Sequence, residues 1–182
     1  MRRLAPYALE VVAVLAAFAA VGAGLGWLWF QAWPQPIGTV YSHQWFADEE
    51  GLREVFDATA WYVVLGAAGG VLLGGLAALV CRRSPVATLV AVVAGSALAA
   101  WVMHAVGLAV SPPDPQTLAQ TAADETRLPG RLSLEGAESP YLAWPLGALV
   151  ALMAVNFLLS SREQVRRRET EDPRWLSAER PG

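Results

Sequence analysis

The sequence is poor in the residues that most often carry chemistry, with one cysteine, two histidines and no lysine in 182 residues. The single cysteine, Cys81, excludes an intramolecular disulfide, so exported loops would lack the links common in small secreted domains. His43 and His104 are the only imidazoles, and no GxxxxGKS/T, HExxH or CxxC motif is present. We therefore predict no metal site and no cofactor.

Charged residues are also scarce, at 16% against 55% hydrophobic residues, which departs from the composition of soluble domains. Four apolar runs reach the length of about 20 residues that a helix needs to cross a bilayer. The predicted spans are residues 8–30, 59–80, 86–110 and 141–160. The segments around them are an N-terminus 1–7, an outer loop 31–58, a cytoplasmic turn 81–85, a second outer loop 111–140 and a tail 161–182. The predicted fold is an all-α membrane protein, a bundle of four transmembrane helices with a small extracytoplasmic cap made by the two loops.

Every basic residue is arginine, and the positions of the arginines predict the orientation. Ten would lie on the side of the two termini: Arg2, Arg3, Arg82, Arg83, Arg162, Arg166, Arg167, Arg168, Arg174 and Arg180. Three would lie in the long loops: Arg53, Arg127 and Arg131. Because an excess of arginine and lysine marks the cytoplasmic side, we predict a multi-pass protein of the cytoplasmic membrane with both termini in the cytoplasm.

Small residues recur every four positions in the second and third runs, and a GxxxG pair lies in the first. Such stripes let the main chains of membrane helices approach closely. The predicted helix-packing positions are Gly22, Gly26, Gly66, Gly70, Gly74, Ala78, Ala91 and Gly95. The five-residue turn between the second and third runs predicts a tight antiparallel hairpin of these two helices. Stripes left exposed would support association between chains, which replacement of Gly70 and Gly74 by leucine is expected to abolish.

Three polar residues within the predicted spans are candidate functional residues. Glu10 lies one turn into the first span, and we expect its side chain to reach the inner headgroups, with a proton or ion ligand as the alternative. His104 is either a neutral histidine bonded to a neighbouring helix or a proton carrier. Asn156 is expected to form a hydrogen bond across helices.

The two outer loops carry weak signals of local structure. Residues 37–41 read as an extended segment, and residues 48–56 as a short helix with Asp48 as its N-cap. Residues 116–126 predict another short helix, and residues 131–134 an extended piece that would pair with residues 37–41. Aromatic residues near the outer ends of the spans predict an interfacial belt: Trp27, Trp29, Trp33, Trp61, Tyr62, Tyr141 and Trp144.

Catalysis is not favoured by these residues. Ser96 and His104 are eight residues apart on one helix, about 12 Å along its axis, so they do not form a dyad. His43 with a loop carboxylate, Glu49, Glu50 or Asp57, would make a general base, but such a loop pair arises readily by chance. We predict that the protein is not an enzyme.

Several motifs of glycine, tryptophan and proline occur along the chain. They are LGWLW at residues 25–29, DATAW at 57–61, the arginine pair 82–83 and AWPL at 143–146. Together they resemble a family of small four-span membrane proteins of actinobacteria that is classed as a domain of unknown function. The resemblance covers about residues 8–160, implies a four-span membrane protein, and carries no catalytic or binding residue with it. The arginine-only, alanine-rich usage fits a GC-rich genome.

Three functional hypotheses follow. The first is a non-enzymatic accessory or self-associating subunit in the lipid bilayer, with a membrane-protein partner or a second copy of itself, and no nucleic acid. The alternative is a small channel or transporter subunit that uses His104, Glu10 and Asn156. The third is an outer-face hydrolase or sensor around His43.

Overall fold

The computed structural model describes residues 5–47, 49–81, 84–134 and 139–171. Four long helices dominate it: α1 (Ala5–Ala32), α2 (Glu49–Val80), α3 (Pro85–Val110) and, after a short α4 (Pro115–Ala119), α5 (Ala143–Glu171). Each long helix contains a stretch long and apolar enough to cross a membrane, which indicates a multi-pass membrane protein. Three short strands complete the fold: β1 (Ile37–Tyr41), β2 (Gln44–Phe46) and β3 (Arg127–Pro129).

Two helices, α2 and α5, extend far beyond the spans predicted for them. The short helix predicted for residues 48–56 is not separate, because α2 runs without a break from Glu49 to Val80. No proline occurs between these residues, and the apolar span simply continues the helix that precedes it. The proposed N-cap, Asp48, lies outside the described residues. At the other end of the bundle, α5 continues past residue 160 to Glu171.

The long helices form two pairs, α1 with α3 and α2 with α5. Along the first pair Gly22 faces Ala99, and Gly26 faces Met103 four residues later on both helices. Since the contacts advance in the same direction along both helices, α1 and α3 are parallel. The predicted hairpin of α2 with α3 is therefore wrong: these two helices follow each other in sequence but touch only slightly.

The α2 stripe packs on α5 because α5 brings a large side chain to it. A Cβ atom at Gly66 would lie 2.9 Å from Trp144 Cδ1, and one at Gly69 would lie 2.7 Å from Trp144 Cη2. Gly70 and Gly74 then face the main chain of α5 at Ala148. The glycines of α2 form a slot that holds the Trp144 indole. Because of this fit α2 pairs with α5, although the short turn connects α2 to α3.

The strands lie together at one end of the bundle, which we call the cap end; α1 begins and α5 ends at the opposite, terminal end. They form an antiparallel sheet of order β2-β1-β3. Ser42 and His43 make the turn between β1 and β2 with φ values of 49° and 61°, as a two-residue hairpin turn of type I′ requires.

The partner of β1 differs from the predicted one. Thr39 pairs with Arg127 and Ile37 with Pro129, so the extended piece lies upstream of residues 131–134. Leu132 is instead buried, and its N–H donates to the Ser111 hydroxyl at 2.8 Å. The helix predicted for residues 116–126 is also shorter, since α4 spans Pro115–Ala119.

The seven aromatic residues predicted as an interfacial belt differ in exposure. Four are core residues: Trp29, Trp33, Tyr62 and Trp144. Tyr141 is half-buried and packs against this core, whereas Trp27 and Trp61 are exposed, as a belt requires. The belt prediction is therefore wrong for the four core residues, which fill the space between the helices at the cap end.

Candidate functional site

The terminal end of the bundle contains a polar cleft, defined here by Glu10, Cys81, Thr88 and Asn156. Cys81 follows α2 directly and lines three adjoining cavities. The Thr88 hydroxyl lies 3.1 Å from the Cys81 carbonyl oxygen and 3.0 Å from the Ser84 carbonyl oxygen, so it satisfies the end of α2 and the start of α3. The cleft therefore lies where the four long helices separate.

One cavity of the cleft lies between α1 and α2 and is almost wholly apolar. It has a volume of about 310 Å³. Its walls are Ala13, Val14, Ala17, Phe18, Leu73, Leu76, Ala77 and Val80, and Glu10 and Cys81 lie at one end. We call this cavity the α1–α2 groove. Alanines at the facing positions leave the space open, because their side chains end at Cβ.

A second cavity, of about 280 Å³, lies between the ends of α2, α3 and α5. Its polar lining includes Thr88, Asn156 and Ser160. The Asn156 amide donates to the Leu152 carbonyl at 2.8 Å within its own helix. Among the described residues, the Asn156 side chain therefore bonds within its own helix and not across helices as predicted.

Glu10 turns into the cleft and is half-buried. Burial raises the pKa of the Cys81 thiol, and a hydrogen bond and the negative charge of Glu10 raise the same pKa further. Glu10 also lines a small cavity with Ser84, Ala87 and Ala91. The Glu10 side chain thus faces α2 and α3. The sequence predicts instead that it extends to the inner headgroups.

The cap end holds the other polar candidate, His104, inside a cluster of aromatic rings. His104 Nδ1 lies 2.8 Å from the Tyr141 hydroxyl, and the two ring centroids are 5.4 Å apart. Trp29 packs on Tyr62 edge to face, with ring centroids 5.0 Å apart. His104 therefore has a hydrogen-bond partner on a neighbouring element.

The Trp29 and Tyr62 donors of this cluster are paired with main-chain carbonyls. Trp29 Nε1 donates to the Ala58 carbonyl at 2.7 Å, and the Tyr62 hydroxyl donates to the Ala100 carbonyl at 2.8 Å. Among the described residues, the buried side-chain polar atom that lacks a partner is Thr59 Oγ1. The cap end is thus filled and almost fully hydrogen-bonded.

The structure places Glu10 and Asn156 in adjoining cavities of the cleft and separates both from His104 at the cap end. Glu10 shares a cavity with Ala91, and His104 lies thirteen residues further along α3, about 20 Å by helix rise. Between them the α1–α3 contact is packed with Val92, Ala99 and Phe18. The Ser96 hydroxyl bonds within its own helix, to the Val93 carbonyl at 2.9 Å.

The predicted helix-packing positions all lie inside the bundle. Every one of them is buried: Gly22, Gly26, Gly66, Gly70, Gly74, Ala78, Ala91 and Gly95. Gly95 packs against the Phe18 ring of α1: a Cβ atom at this glycine would lie 2.9 Å from Phe18 Cδ2. The stripes are occupied within one chain, which contradicts the expectation that they are left exposed for association.

An exposed apolar face on the sheet was not predicted from the sequence. The outward face of the sheet carries Ile37, Tyr41 and Phe46, with exposed fractions of 63%, 53% and 52%. Strand alternation predicts that Ile37 and Tyr41 share a face, but only the hairpin adds Phe46, which pairs with Thr39. His43 is exposed in the hairpin turn.

No protein-family model, curated protein or solved structure matches this chain. The resemblance to the actinobacterial four-span family therefore stays a prediction from the sequence motifs.

Proposed function

We propose that this protein is a non-enzymatic accessory subunit of the cytoplasmic membrane that docks an extracytoplasmic segment of a partner membrane protein through the outward face of its cap sheet. The supporting observation is the apolar face formed by Ile37, Tyr41 and Phe46 outside the spans. Exposed apolar patches with polar rims typically mark interaction sites.

We infer the chemistry of the partner from the net charge of the chain segments on the cap side of the spans. Residues 31–58, which include the start of α2, and residues 111–140 contain ten acidic residues and three arginines, of which Arg127 pairs with Thr39 beside this face. A partner with apolar residues flanked by lysine or arginine would complement it. The arginine asymmetry of the whole chain supports the orientation with the cap outside and the termini in the cytoplasm.

The geometry supports an accessory role better than a channel or transporter role within one chain. A transport path needs polar groups along the bundle, and the stretch between Glu10 and His104 is closely packed with apolar side chains. The occupied glycine stripes also remove the sequence argument for self-association through them.

The docking surface is tested by site-specific crosslinking in the native host. In a Cys81→Ser background, Phe46→Cys on the sheet face is compared with Leu118→Cys on α4, another exposed apolar cap position. Each variant carries a thiol-directed photocrosslinker, and the adducts are identified by mass spectrometry. We expect one membrane-protein adduct at Phe46 and none at Leu118.

A second measurement uses the same partner without a crosslinker. Ile37→Ser combined with Phe46→Ser should abolish its co-purification in gentle detergent, while Leu118→Ser should leave it unchanged. Adducts of Phe46→Cys with lipid alone would mean that the face rests on the membrane, and adducts with a second copy of the chain would mean self-association. Either result would overturn the proposal.

A further inference from the structure

The α1–α2 groove has the form of a ligand site independent of the cap. One end of it is polar, with the Glu10 carboxylate and the Cys81 thiol, and the rest is apolar. Its volume of about 310 Å³ is at the lower end of the range for small-molecule pockets. That space accommodates one short apolar group and leaves a charged group beside Glu10.

We propose that the α1–α2 groove binds a small lipophilic cation, with its apolar tail between α1 and α2 and its positive charge beside the Glu10 carboxylate. The charge of the groove selects this occupant over a plain lipid chain or an anion. An ionisable residue within a span is costly to keep there and marks functional sites, and attraction to a cation strengthens where water is displaced.

The placement of Glu10 supports this assignment. A carboxylate one turn into a span reaches headgroups when its side chain extends along the helix. Here it faces Cys81 at the end of the groove, so a cation in the groove would meet it directly. The small residues Ala13 and Ala17 on α1 keep the path from the apolar end to the carboxylate open.

The single cysteine supplies a local readout, because Cys81 lines the groove. The full chain is reconstituted in phosphatidylcholine vesicles, and the rate of Cys81 alkylation by N-ethylmaleimide is measured with and without probe. The probes share a hexyl chain: hexyltrimethylammonium, hexanesulfonate and hexanol. The ratio of rates is taken within each variant, so a change in the intrinsic reactivity of the thiol cancels.

We expect hexyltrimethylammonium to slow alkylation at least three-fold in the parent chain, and the other two probes to have no effect. Glu10→Gln should remove the protection because it removes the charge, and Ala17→Leu because it fills the groove. Ala16→Leu is the matched control, since Ala16 is exposed on the same helix and does not line the groove; it should keep the protection.

Three results would overturn the proposal. Equal protection by hexanol would mean that any apolar chain, including a lipid tail, occupies the groove. Protection by hexanesulfonate would show that the groove does not select a positive charge. Full protection in Glu10→Gln would exclude the carboxylate, and if this variant does not fold, Ala17→Leu against Ala16→Leu and the comparison of probes still decide. None of these results depends on the docking face of the cap.

Discussion

The two ends of the helix bundle differ in how closely their helices are packed. At the cap end, Trp29, Tyr62 and Trp144 fill the space between helices and are fully buried. At the terminal end, alanines and short polar side chains leave cavities of about 280 and 310 Å³. Aromatic rings bury large areas and hold helices at a fixed distance, whereas small residues next to each other fill only part of the gap. The cap end therefore holds the fold together, and the terminal end has room for a ligand.

The largest expected effect is loss of the fold when a glycine of the α2 stripe is enlarged. In Gly70→Leu the new side chain meets the main chain of α5, with Ala148 N 3.0 Å from the added Cβ. Main chain cannot move aside cheaply, so we expect a loss of about 3 kcal/mol or more. The measurement is thermal unfolding of the purified chain in detergent.

Gly24→Leu is the matched control for this variant, because no atom lies within 4 Å of a Cβ at Gly24. Its melting temperature should stay near that of the parent chain. Equal melting temperatures for both leucine variants would show that the α2–α5 contact does not hold the bundle together. Since Gly70 is buried within one chain, the effect is expected in the monomer and not only in an assembly.

Removal of the central indole should be similarly damaging. Trp144 touches Gly66 and Gly69, packs on Phe18, and donates to Met103 Sδ at 3.2 Å. Trp144→Ala should cost about 3–5 kcal/mol, the usual range for a buried tryptophan. The free energy of unfolding in bicelles measures this cost.

An exposed tryptophan provides the comparison. Trp101 is 63% exposed, so Trp101→Ala should change the free energy of unfolding by about 0.5 kcal/mol or less. Similar costs for the two tryptophans would remove the distinction between a packed cap end and an exposed surface.

The His104–Tyr141 contact should give a smaller, measurable coupling. A double-mutant cycle with His104→Ala and Tyr141→Phe should yield about 0.6 kcal/mol, the average for hydrogen bonds between membrane helices. A cycle with Tyr62→Phe in place of Tyr141→Phe should yield less, because the Tyr62 hydroxyl donates to the Ala100 carbonyl.

The same variants test the alternative function of this residue. A pH-dependent ion flux in liposomes that disappears in His104→Ala, together with zero coupling to Tyr141, would support a channel and count against a structural role.

The smallest expected effect is on the reactivity of Cys81 at the terminal end. Its raised pKa leaves less thiolate at a given pH, and the thiolate is the form that reacts. Alkylation should therefore keep rising with pH where an ordinary thiol of pKa about 8.5 has levelled off.

Glu10 accounts for part of this shift. Glu10→Gln should move the alkylation profile to lower pH but not fully to that of an ordinary thiol, because burial is the first cause of the raised pKa. Glu49→Gln, at the exposed start of α2, should leave the profile unchanged. A pH profile of alkylation that is unaffected by Glu10→Gln would show that the carboxylate does not interact with the Cys81 thiol.

The spans were predictable because they depend on length and apolar composition, which are local properties of the sequence. The stripe positions Gly70 and Gly74 were also visible, since a four-residue period needs no tertiary information. Their partner was not: the short turn at residues 81–85 favours α3, while the slot formed with Gly66 and Gly69 fits Trp144 of α5. Shape complementarity between distant segments overrides proximity in sequence, and one sequence does not reveal it.

The candidate sites show the same limit. Glu10 and Cys81 are separated by 70 residues, and nothing in the sequence connects them. The aromatic residues near the span ends are equally consistent with an interfacial belt and with a buried core. Position along a helix fixes the depth of a residue in the membrane but not the direction in which its side chain points.

The sequence by itself determined that this chain has four membrane-length helices and few groups for chemistry, and it predicts the orientation. Tertiary structure decided the parallel pairing of α1 with α3 and of α2 with α5, the union of Ile37, Tyr41 and Phe46 on one sheet face, and the groove beside Glu10. The physical reason is that a membrane span depends on the hydrophobicity of residues that follow one another in the chain. Packing and electrostatics depend instead on residues that only the fold brings together.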